Sequence, residues 1–390
     1  MDAGAAVTRR AAVVRIGGAL AVGMMASACG AGAPGASGSR SPELVWRRPI
    51  GGVVWLDASG DTVSIGGGGA SVAEGLDAAT GKARWSIGDS FTPASVAWAQ
   101  GGGMVLCDGG NANGADNITA LSEATGHQLW SAPADVGNPN NGSGPWLTFA
   151  DNAVYALIGL PGSHAVYRDD VVLALDGRTG ARKWMSRLPP MAKAMAVADG
   201  IVYAGSALAS PSSSGEVAAL DGATGARRWS ARVGAPVGAL AVTTGVVAGC
   251  WDNLTSESQQ PLMFGLDAVD GRVLWQRDLG AVLPIIAAGD GLVFALDLAS
   301  GGLLAVDALA GRLLWKDMAG GQYPTAPAVD GDAVYVGYQN SVQAFSARTG
   351  RQLWSYSVEG LPRKLAASSD FVYAAVDDLS SGSALYALRV

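Results

Sequence analysis

The stretch Val217-Ala-Ala-Leu-Asp-Gly-Ala-Thr-Gly-Ala-Arg-Arg-Trp229 decides the fold, because variants of it recur along most of the chain. Its apolar run ends at Asp221, whose carboxylate can accept backbone N–H groups and start a turn. Gly225 supplies the positive φ that a short hairpin with a bulge requires. A second strand then ends at Trp229. Each copy therefore predicts two antiparallel strands joined by a tight turn.

Tryptophans mark the period of this repeat. Successive marker tryptophans are 39 to 54 residues apart, and seven of them follow a glycine that stands four residues upstream: Trp85, Trp130, Trp184, Trp229, Trp275, Trp315 and Trp354. A second hairpin precedes the phrase, as in 194–204. Four strands per period, named A to D from the axis outward, predict an all-β propeller of four-stranded antiparallel blades. We expect each indole to wedge neighbouring blades together.

The two ends of the chain each hold part of a repeat. Trp46 ends an apolar segment that has no turn phrase before it, and 384–390 is a strand C that no strand D follows. We predict that the two parts join as one blade, which closes the ring at eight blades and removes the open sheet edges. A seven-bladed ring with a loose N-terminal strand is the alternative.

The first 28 residues resemble an export signal. Arg9, Arg10 and Arg15 precede an uncharged, largely apolar run over 16–28 that is too short to span a bilayer. Small residues then lead to Cys29, as in a bacterial lipobox, where the signal is cleaved before a cysteine whose thiol is lipidated. We predict a lipoprotein signal peptide (1–28), a flexible tether (29–42) and a propeller (43–390), with the protein exported and lipid-anchored on the extracytoplasmic face of the cell membrane. The alternative is an ordinary secretory signal with a chance cysteine, and the choice between Sec and Tat export stays open.

Composition argues against several functions. The net charge is −7 and no Lys- or Arg-rich block occurs, which disfavours nucleic acid as a partner. The only histidines are His127 and His164, so a histidine-based catalytic centre or zinc site is not expected. We predict no catalytic residues and no metal site.

The repeated phrase resembles the tryptophan-docking motif of PQQ-like propeller repeats, and 76–85 and 174–184 match that motif as well as 219–229 does. The resemblance covers about residues 43–390. This family includes quinoprotein alcohol dehydrogenases, which bind PQQ and calcium, and non-enzymatic proteins such as the assembly scaffold BamB and the sensor domains of some kinases. The dehydrogenases carry adjacent cysteines, which this chain lacks, so we expect neither PQQ nor calcium. The abundance of Arg over Lys, and of Ala and Gly, resembles an actinobacterial proteome.

Insertions that stretch the period indicate where a partner binds. They fall in B–C and D–A connections, which share one face of a propeller: Pro133–Pro145, Ile158–Asp170, Ser206–Gly215, Trp251–Pro261 and Asp377–Ser383. Elaborated loops on one face usually carry recognition. The candidate anchors in or beside these loops and in D–A segments are aromatic or basic: Trp146, Tyr167, Arg168, Trp251, Tyr323, Arg363 and Lys364.

From these features we expect a monomeric, non-catalytic scaffold that binds a protein or another cell-envelope partner through this face. Two alternatives stay open. One is an enzyme that uses the channel mouth, such as a quinoprotein oxidoreductase, and the other is a sensor of extracellular ligands.

Overall fold

Eight four-stranded antiparallel sheets make up the computed structural model of the chain. It describes residues 41–53, 55–67, 71–88, 98–110, 116–133, 146–159, 170–189, 192–207, 214–234, 236–251, 262–279, 282–297, 300–317, 324–368, 370–378 and 382–390. In seven of the eight blades the strands follow one another in sequence from the axis outward, so these blades are meanders.

The first strand, β1 (Glu43–Pro49), belongs to the last blade. Blades 1 to 4 follow it along the chain: blade 1 has β2 (Trp55–Ser59), β3 (Thr62–Gly66), β4 (Ser71–Asp77) and β5 (Ala83–Gly88); blade 2 has β6 (Trp98–Gly101), β7 (Met104–Gly110), β8 (Asp116–Ser122) and β9 (Gln128–Pro133); blade 3 has β10 (Trp146–Ala150), β11 (Ala153–Gly159), β12 (Asp170–Asp176) and β13 (Arg182–Leu188); blade 4 has β14 (Ala192–Ala198), β15 (Ile201–Ala207), β16 (Gly215–Asp221) and β17 (Arg227–Val233).

The second half of the ring has the same arrangement. Blade 5 has β18 (Val237–Thr243), β19 (Val246–Trp251), β20 (Leu262–Asp267) and β21 (Val273–Asp278); blade 6 has β22 (Val282–Gly289), β23 (Leu292–Asp297), β24 (Leu303–Asp307) and β25 (Leu313–Lys316); blade 7 has β26 (Ala328–Asp330), β27 (Ala333–Tyr338), β28 (Ser341–Ser346) and β29 (Gln352–Ser357); blade 8 has β30 (Leu361–Ala367), β31 (Phe371–Asp378), β32 (Gly382–Arg389) and β1.

The ring closes through β1. This strand pairs with β32, Trp46 lying opposite Ala387, and thereby supplies strand D of blade 8. The innermost strands of successive blades contact one another all the way round, β30 of blade 8 touching β2 of blade 1. The prediction of eight blades, with the last one completed by the N-terminal strand, is confirmed, and the seven-bladed alternative is wrong.

The hydrophobic core lies between the blades. Along β12, successive side chains point to opposite neighbours: Leu173 packs with blade 2, whereas Val172 packs with blade 4. Because both faces of a blade are covered, strands B and C are apolar and buried nearly throughout. The outer D strands differ. In β17 exposed and partly buried residues alternate, since one face of that strand packs on the next blade, through Trp229 and Ala231, while the other face meets solvent.

In blades 2 to 6 the A–B turns are two-residue hairpins with left-handed backbone at both positions. In blade 4, Asp199 and Gly200 have φ of 49° and 71°, and in blade 6, Asp290 and Gly291 have φ of 49° and 79°. Two successive positive φ angles are the geometry of a type I′ turn, which favours Asp or Asn followed by Gly. These hairpins hold the inner strands in register around the axis.

Candidate functional site

The propeller has two chemically different faces. Because the strands of each blade alternate in direction, the A–B and C–D turns lie on one face, the motif-turn face, and the B–C and D–A connections lie on the other, the long-loop face. The turn phrase found in the sequence belongs to the C–D turns. In blade 4, the Asp221 Oδ1 atom accepts the backbone N–H of Thr224 at 2.9 Å. Hydrogen bonds from the Arg228 guanidinium and, with a smaller effect, from the Thr224 hydroxyl lower the pKa of Asp221 to about 2.

Seven of the eight marker tryptophans reach into the turn of the next blade. The indole Nε1–H donates to the carbonyl of the residue that follows the Asp or Ser of that turn, and the distances lie between 2.7 and 3.1 Å. The pairs are Trp46 with Ala78, Trp85 with Glu123, Trp130 with Gly177, Trp184 with Gly222, Trp229 with Ala268, Trp275 with Ala308 and Trp315 with Ala347. The eighth, Trp354, faces blade 8, whose C–D junction has no such turn because its two strands come from opposite ends of the chain.

The motif glycines make room for these indoles. Gly180 has φ of +71°, and a Cβ atom on it would lie 2.6 Å from the Trp130 ring. Any side chain at this position would therefore both strain the backbone and collide with the indole. The glycine is thus required for the turn and for the contact between blades.

Three B-strand tyrosines support the same carbonyls, and sequence reasoning missed them. Tyr155, Tyr203 and Tyr373 donate their hydroxyls at 3.2 to 3.3 Å to the carbonyls of Gly222, Ala268 and Ala78, each of which also accepts an indole N–H. Burial raises the pKa of Tyr203 to about 12, so it remains a donor at neutral pH. Their spacing to the tryptophan of their own blade differs, 29 residues for Tyr155 and 26 for Tyr203, so the repeat gave no fixed position for them.

One turn carries a charged group where the others have Ala or Gly. Glu123 takes the position of Gly177 and Gly222, and its side chain is buried beside blade 1. Burial raises the pKa of the Glu123 carboxyl, against a lowering effect of the Gln100 side chain. This carboxyl is a local departure from the repeat.

The candidate residues of the long-loop face are only partly described. Tyr167, Arg168 and Tyr323 lie outside the described residues. Trp146 is the first residue of β10 and Trp251 is the last residue of β19, so both stand at strand ends on the long-loop face, while their side chains lie outside the described set. The backbone of both residues thus lies on the predicted face.

Arg363 and Lys364 are described, and their expected place was wrong. They were expected in a D–A segment, but both lie within β30, the innermost strand of blade 8. The strand is irregular between Pro362 and Lys364, which leaves Arg363 as the extra residue of a bulge. An innermost strand is a sheet edge, where a bulge and a proline without an N–H are tolerated. The Arg363 Nε atom donates to the Asp377 carboxylate at 2.9 Å.

The segment Asp377–Ser383 is also not the loop that the sequence indicated. Strand β31 continues to Asp378 and β32 begins at Gly382, and Asp377 pairs directly with Ser383. The Ser383 hydroxyl donates to the Asp377 carboxylate at 2.8 Å. Polar and small residues at a hairpin end produced the loop-like pattern, although the strands extend through them.

Across the described ranges, no three His, Cys, Asp or Glu side chains lie close enough together to hold a metal ion. No helix in that part of the chain is long and apolar enough to cross a membrane.

Comparison with known proteins gives a family and a set of similar folds. A family model described as "Outer membrane protein assembly factor BamB" matches residues 68–249 and 262–388. No curated protein matches the sequence. Among solved structures, BamB from Moraxella catarrhalis has 16% identity and a TM-score of 0.62, with 90% of this chain and 98% of that chain covered.

Two further structures show how widely this fold is used. The computationally designed protein Ika8 has 17% identity and a TM-score of 0.65, covering 90% of this chain and all (100%) of that one. The quinohemoprotein alcohol dehydrogenase ADHIIG from Pseudomonas putida has 13% identity and a TM-score of 0.59, covering 89% of this chain and 76% of that one. At these identities the likeness concerns the fold alone.

Proposed function

The chain belongs to the family described as outer membrane protein assembly factor BamB, and from this premise we propose that it is a non-catalytic, protein-binding scaffold of the cell envelope. The match over residues 68–249 and 262–388 is the observation that carries the proposal. We further propose that Cys29 bears a lipid, so that the propeller is held at the extracytoplasmic face of the cell membrane, and that the long-loop face meets the partner.

The distribution of polar groups supports the scaffold over a quinoprotein enzyme. The adjacent cysteines that PQQ-binding relatives are expected to use are missing from the sequence, and Cys107 and Cys250 are buried in blades 2 and 5. The repeated Trp and Tyr side chains donate hydrogen bonds to the next blade, and the motif glycines leave room for the indoles. The residues present thus do not fit a PQQ site with its cysteine pair, and we propose that neither PQQ nor calcium binds.

Replacing Cys29 by alanine tests the anchor. We expect the wild-type protein, expressed in its host with an alkyne-labelled fatty acid, to carry the label and to sediment with membranes, because a thiol at that position would be acylated. Cys29→Ala should lose the label entirely and leave the membrane fraction. Cys107→Ala is the matched control, since its thiol is buried in the propeller and should leave labelling unchanged. Equal labelling of wild type and Cys29→Ala would refute the anchor.

A photo-crosslinking amino acid placed at Arg363 tests the scaffold. Because this exposed side chain lies on the long-loop half of β30, we expect it to crosslink to one envelope protein, identified by mass spectrometry. The same crosslinker at exposed Leu129, on the outer strand of blade 2, is the positional control and should not capture that protein. Dye-linked alcohol oxidation after addition of PQQ and calcium, with a rise in the melting temperature, would instead establish the quinoprotein alternative.

A further inference from the structure

Three positions of each repeat line the outer groove between a blade and its successor. One is the residue before the tryptophan of the first blade. The other two belong to the next blade and stand six and two residues before its tryptophan. In the groove between blades 5 and 6, the 5–6 groove, these positions are Leu274, Leu309 and Leu313.

Contacts place all three leucines in that groove. Leu274 packs against the core cluster shared by blades 5 and 6. Leu313 pairs across strands with Val306, which belongs to the same cluster, so both side chains lie on the blade 5 side of their sheet. Leu309 follows Ala308, whose carbonyl accepts the Trp275 indole N–H at 2.7 Å. The leucines therefore surround the outer end of one tryptophan contact.

The 5–6 groove departs from the other grooves in chemistry. Elsewhere the three positions include Arg, Lys or Gln, or hold only Val and Ala: Arg84, Ala124 and Gln128; Leu129, Arg178 and Arg182; Lys183, Ala223 and Arg227; Arg228, Val269 and Val273; Leu314, Arg348 and Gln352; Val45, Ala79 and Ala83. Charged side chains on edge strands prevent pairing with other chains. At the 5–6 groove that protection is replaced by leucine.

These leucines are open to solvent. Leu309 is 68% exposed and Leu313 is 43% exposed. Leaving such side chains in water forgoes the hydrophobic stabilisation that burial against a partner would supply. A cluster of exposed aliphatic side chains on one part of a surface marks an interaction site more often than scattered ones do.

An unpaired strand edge lies beside the leucines. Strand β21 is the last strand of blade 5, so one row of its backbone N–H and C=O groups has no strand partner in its sheet. Such an edge can accept one more strand, whose main chain gives affinity and whose alternate side chains give specificity. The 5–6 groove thus combines a hydrogen-bonding edge with an apolar floor.

The groove also has a charged end. Arg277 pairs with Met263, a member of the blade 5–6 cluster, and therefore faces the same groove. Its guanidinium donates to the backbone carbonyl of Gln276 and meets no carboxylate in the described residues. Arg277 lies three positions after Leu274 in the strand, so their Cα atoms are about 10 Å apart. An occupant that is apolar at the leucines and acidic beside Arg277 would complement this surface.

We propose that the 5–6 groove binds an extended segment of another protein, which adds as a strand to the edge of β21. Two apolar residues at alternate positions of that segment contact the leucines, and an Asp or Glu two residues further on pairs with Arg277. This inference rests on the proposed scaffold function and names a partner site for it, on the outer surface rather than on the long-loop face.

Area and sequence argue against two other occupants. A stable dimer buries about 800 Å² on each partner, whereas three half-exposed leucines offer on the order of 200 Å², which suits one strand. The chain's own segment 30–41 contains only Gly, Ala, Pro, Ser and Arg, so it has no large apolar side chain to fill the groove.

A defined peptide tests the proposal. The probe is a fluorescein-labelled, capped peptide with the core Leu-Thr-Leu-Thr-Glu, and its binding to the purified protein is followed by fluorescence anisotropy. We expect saturable binding that Leu309→Asp and Leu313→Asp each weaken at least 10-fold, because a buried carboxylate would replace an apolar contact. Leu129→Asp, at an equally exposed leucine of the blade 2–3 groove, is the matched control and should bind as wild type does.

Two further variants separate specific strand addition from loose apolar adsorption. Arg277→Glu should weaken binding of the probe about 10-fold, and this variant should bind more tightly to a probe that ends in Lys in place of Glu. Two peptides N-methylated on alternate sets of amides should differ. Only the peptide whose methyl groups lie on the edge that faces β21 should lose binding, since the other edge of the added strand makes no hydrogen bond to β21. If Leu309→Asp unfolds, Leu309→Ser serves in its place.

Several outcomes would overturn the proposal. They are no saturable binding up to about 1 mM probe, equal binding by wild type and both aspartate variants, or a wild-type dimer in sedimentation that Leu309→Asp dissociates. The last result would make a second copy the occupant. The peptide assay needs neither export nor lipid. A negative peptide result would therefore not affect the anchor and crosslinking results, and negative results in those two experiments would not affect the peptide result.

Discussion

Trp130→Ala should lower the free energy of unfolding by about 3–5 kcal/mol, the range seen for large-to-small substitutions of buried aromatic residues. The indole is 7% exposed, lies in the cluster shared by blades 2 and 3, and donates to the Gly177 carbonyl at 2.9 Å. Its removal leaves a cavity between two blades and an orphaned carbonyl. Urea unfolding followed by circular dichroism measures the loss.

Three comparison variants divide that loss into packing and hydrogen bonding. Trp354→Ala removes a half-buried indole that donates no hydrogen bond in the described residues, so it should cost clearly less. Trp130→Phe keeps most of the volume but leaves the Gly177 carbonyl without its donor, for about 1–3 kcal/mol. Trp184→Phe should cost less than Trp130→Phe, because the Gly222 carbonyl still accepts the Tyr155 hydroxyl at 3.2 Å. Equal losses for Trp130→Ala and Trp354→Ala would contradict the docking role.

The architecture could be predicted because its pattern is local and repeated. A glycine four residues before a tryptophan fixes a turn, and seven copies fix the blade. The closure by Trp46 followed from counting strands at the two ends. The B-strand tyrosines were missed because their role appears only when a hydroxyl from one blade meets a carbonyl from the next.

The binding surface was harder to predict, for two physical reasons. Arg363 was misplaced because Gly360-Leu361-Pro362 has the composition of a loop, whereas an innermost edge strand accommodates the proline at a bulge. The leucines of the 5–6 groove belong to turn phrases whose role is structural, and their exposure depends on how two blades face each other. The repeat pattern relates Leu274 to Leu309 and Leu313, but it does not tell which of these side chains remain exposed once the blades have packed.

Removing β1, so that the chain starts at Gly51, should have the largest effect on stability. The loss is expected to be at least about 5 kcal/mol, comparable with the whole stability of many domains. Deletion takes away the strand paired with β32 and exposes that apolar strand as an edge. It also removes the Trp46 donor to the Ala78 carbonyl at 3.0 Å and the ion pair of Arg48 with Glu74 at 2.7 Å, two links between blades 8 and 1.

Two measurements follow from an open ring. Size-exclusion chromatography should show oligomers or aggregates, since an uncovered strand edge recruits other chains. Thermal unfolding should begin at a lower temperature than in the wild-type protein. A truncated protein that stays monomeric with an unchanged unfolding curve would show that β32 needs no cover and that the closing strand contributes little.

Adding the missing strand back as a peptide makes this test specific. A synthetic peptide of residues 42–50 should bind the truncated protein and restore both the monomer and much of the lost stability, because it can rebuild the β1–β32 pairing. The same peptide with Trp46→Ala should rescue weakly, since it rebuilds the sheet of blade 8 without the indole contact to blade 1. A peptide with Glu43→Ala is the matched control. The Glu43 carboxylate makes an exposed ion pair with Arg389, and exposed pairs contribute little, so this peptide should rescue like the unmodified one. The contrast between the two variants would assign ring closure to the tryptophan contact and not to strand pairing alone.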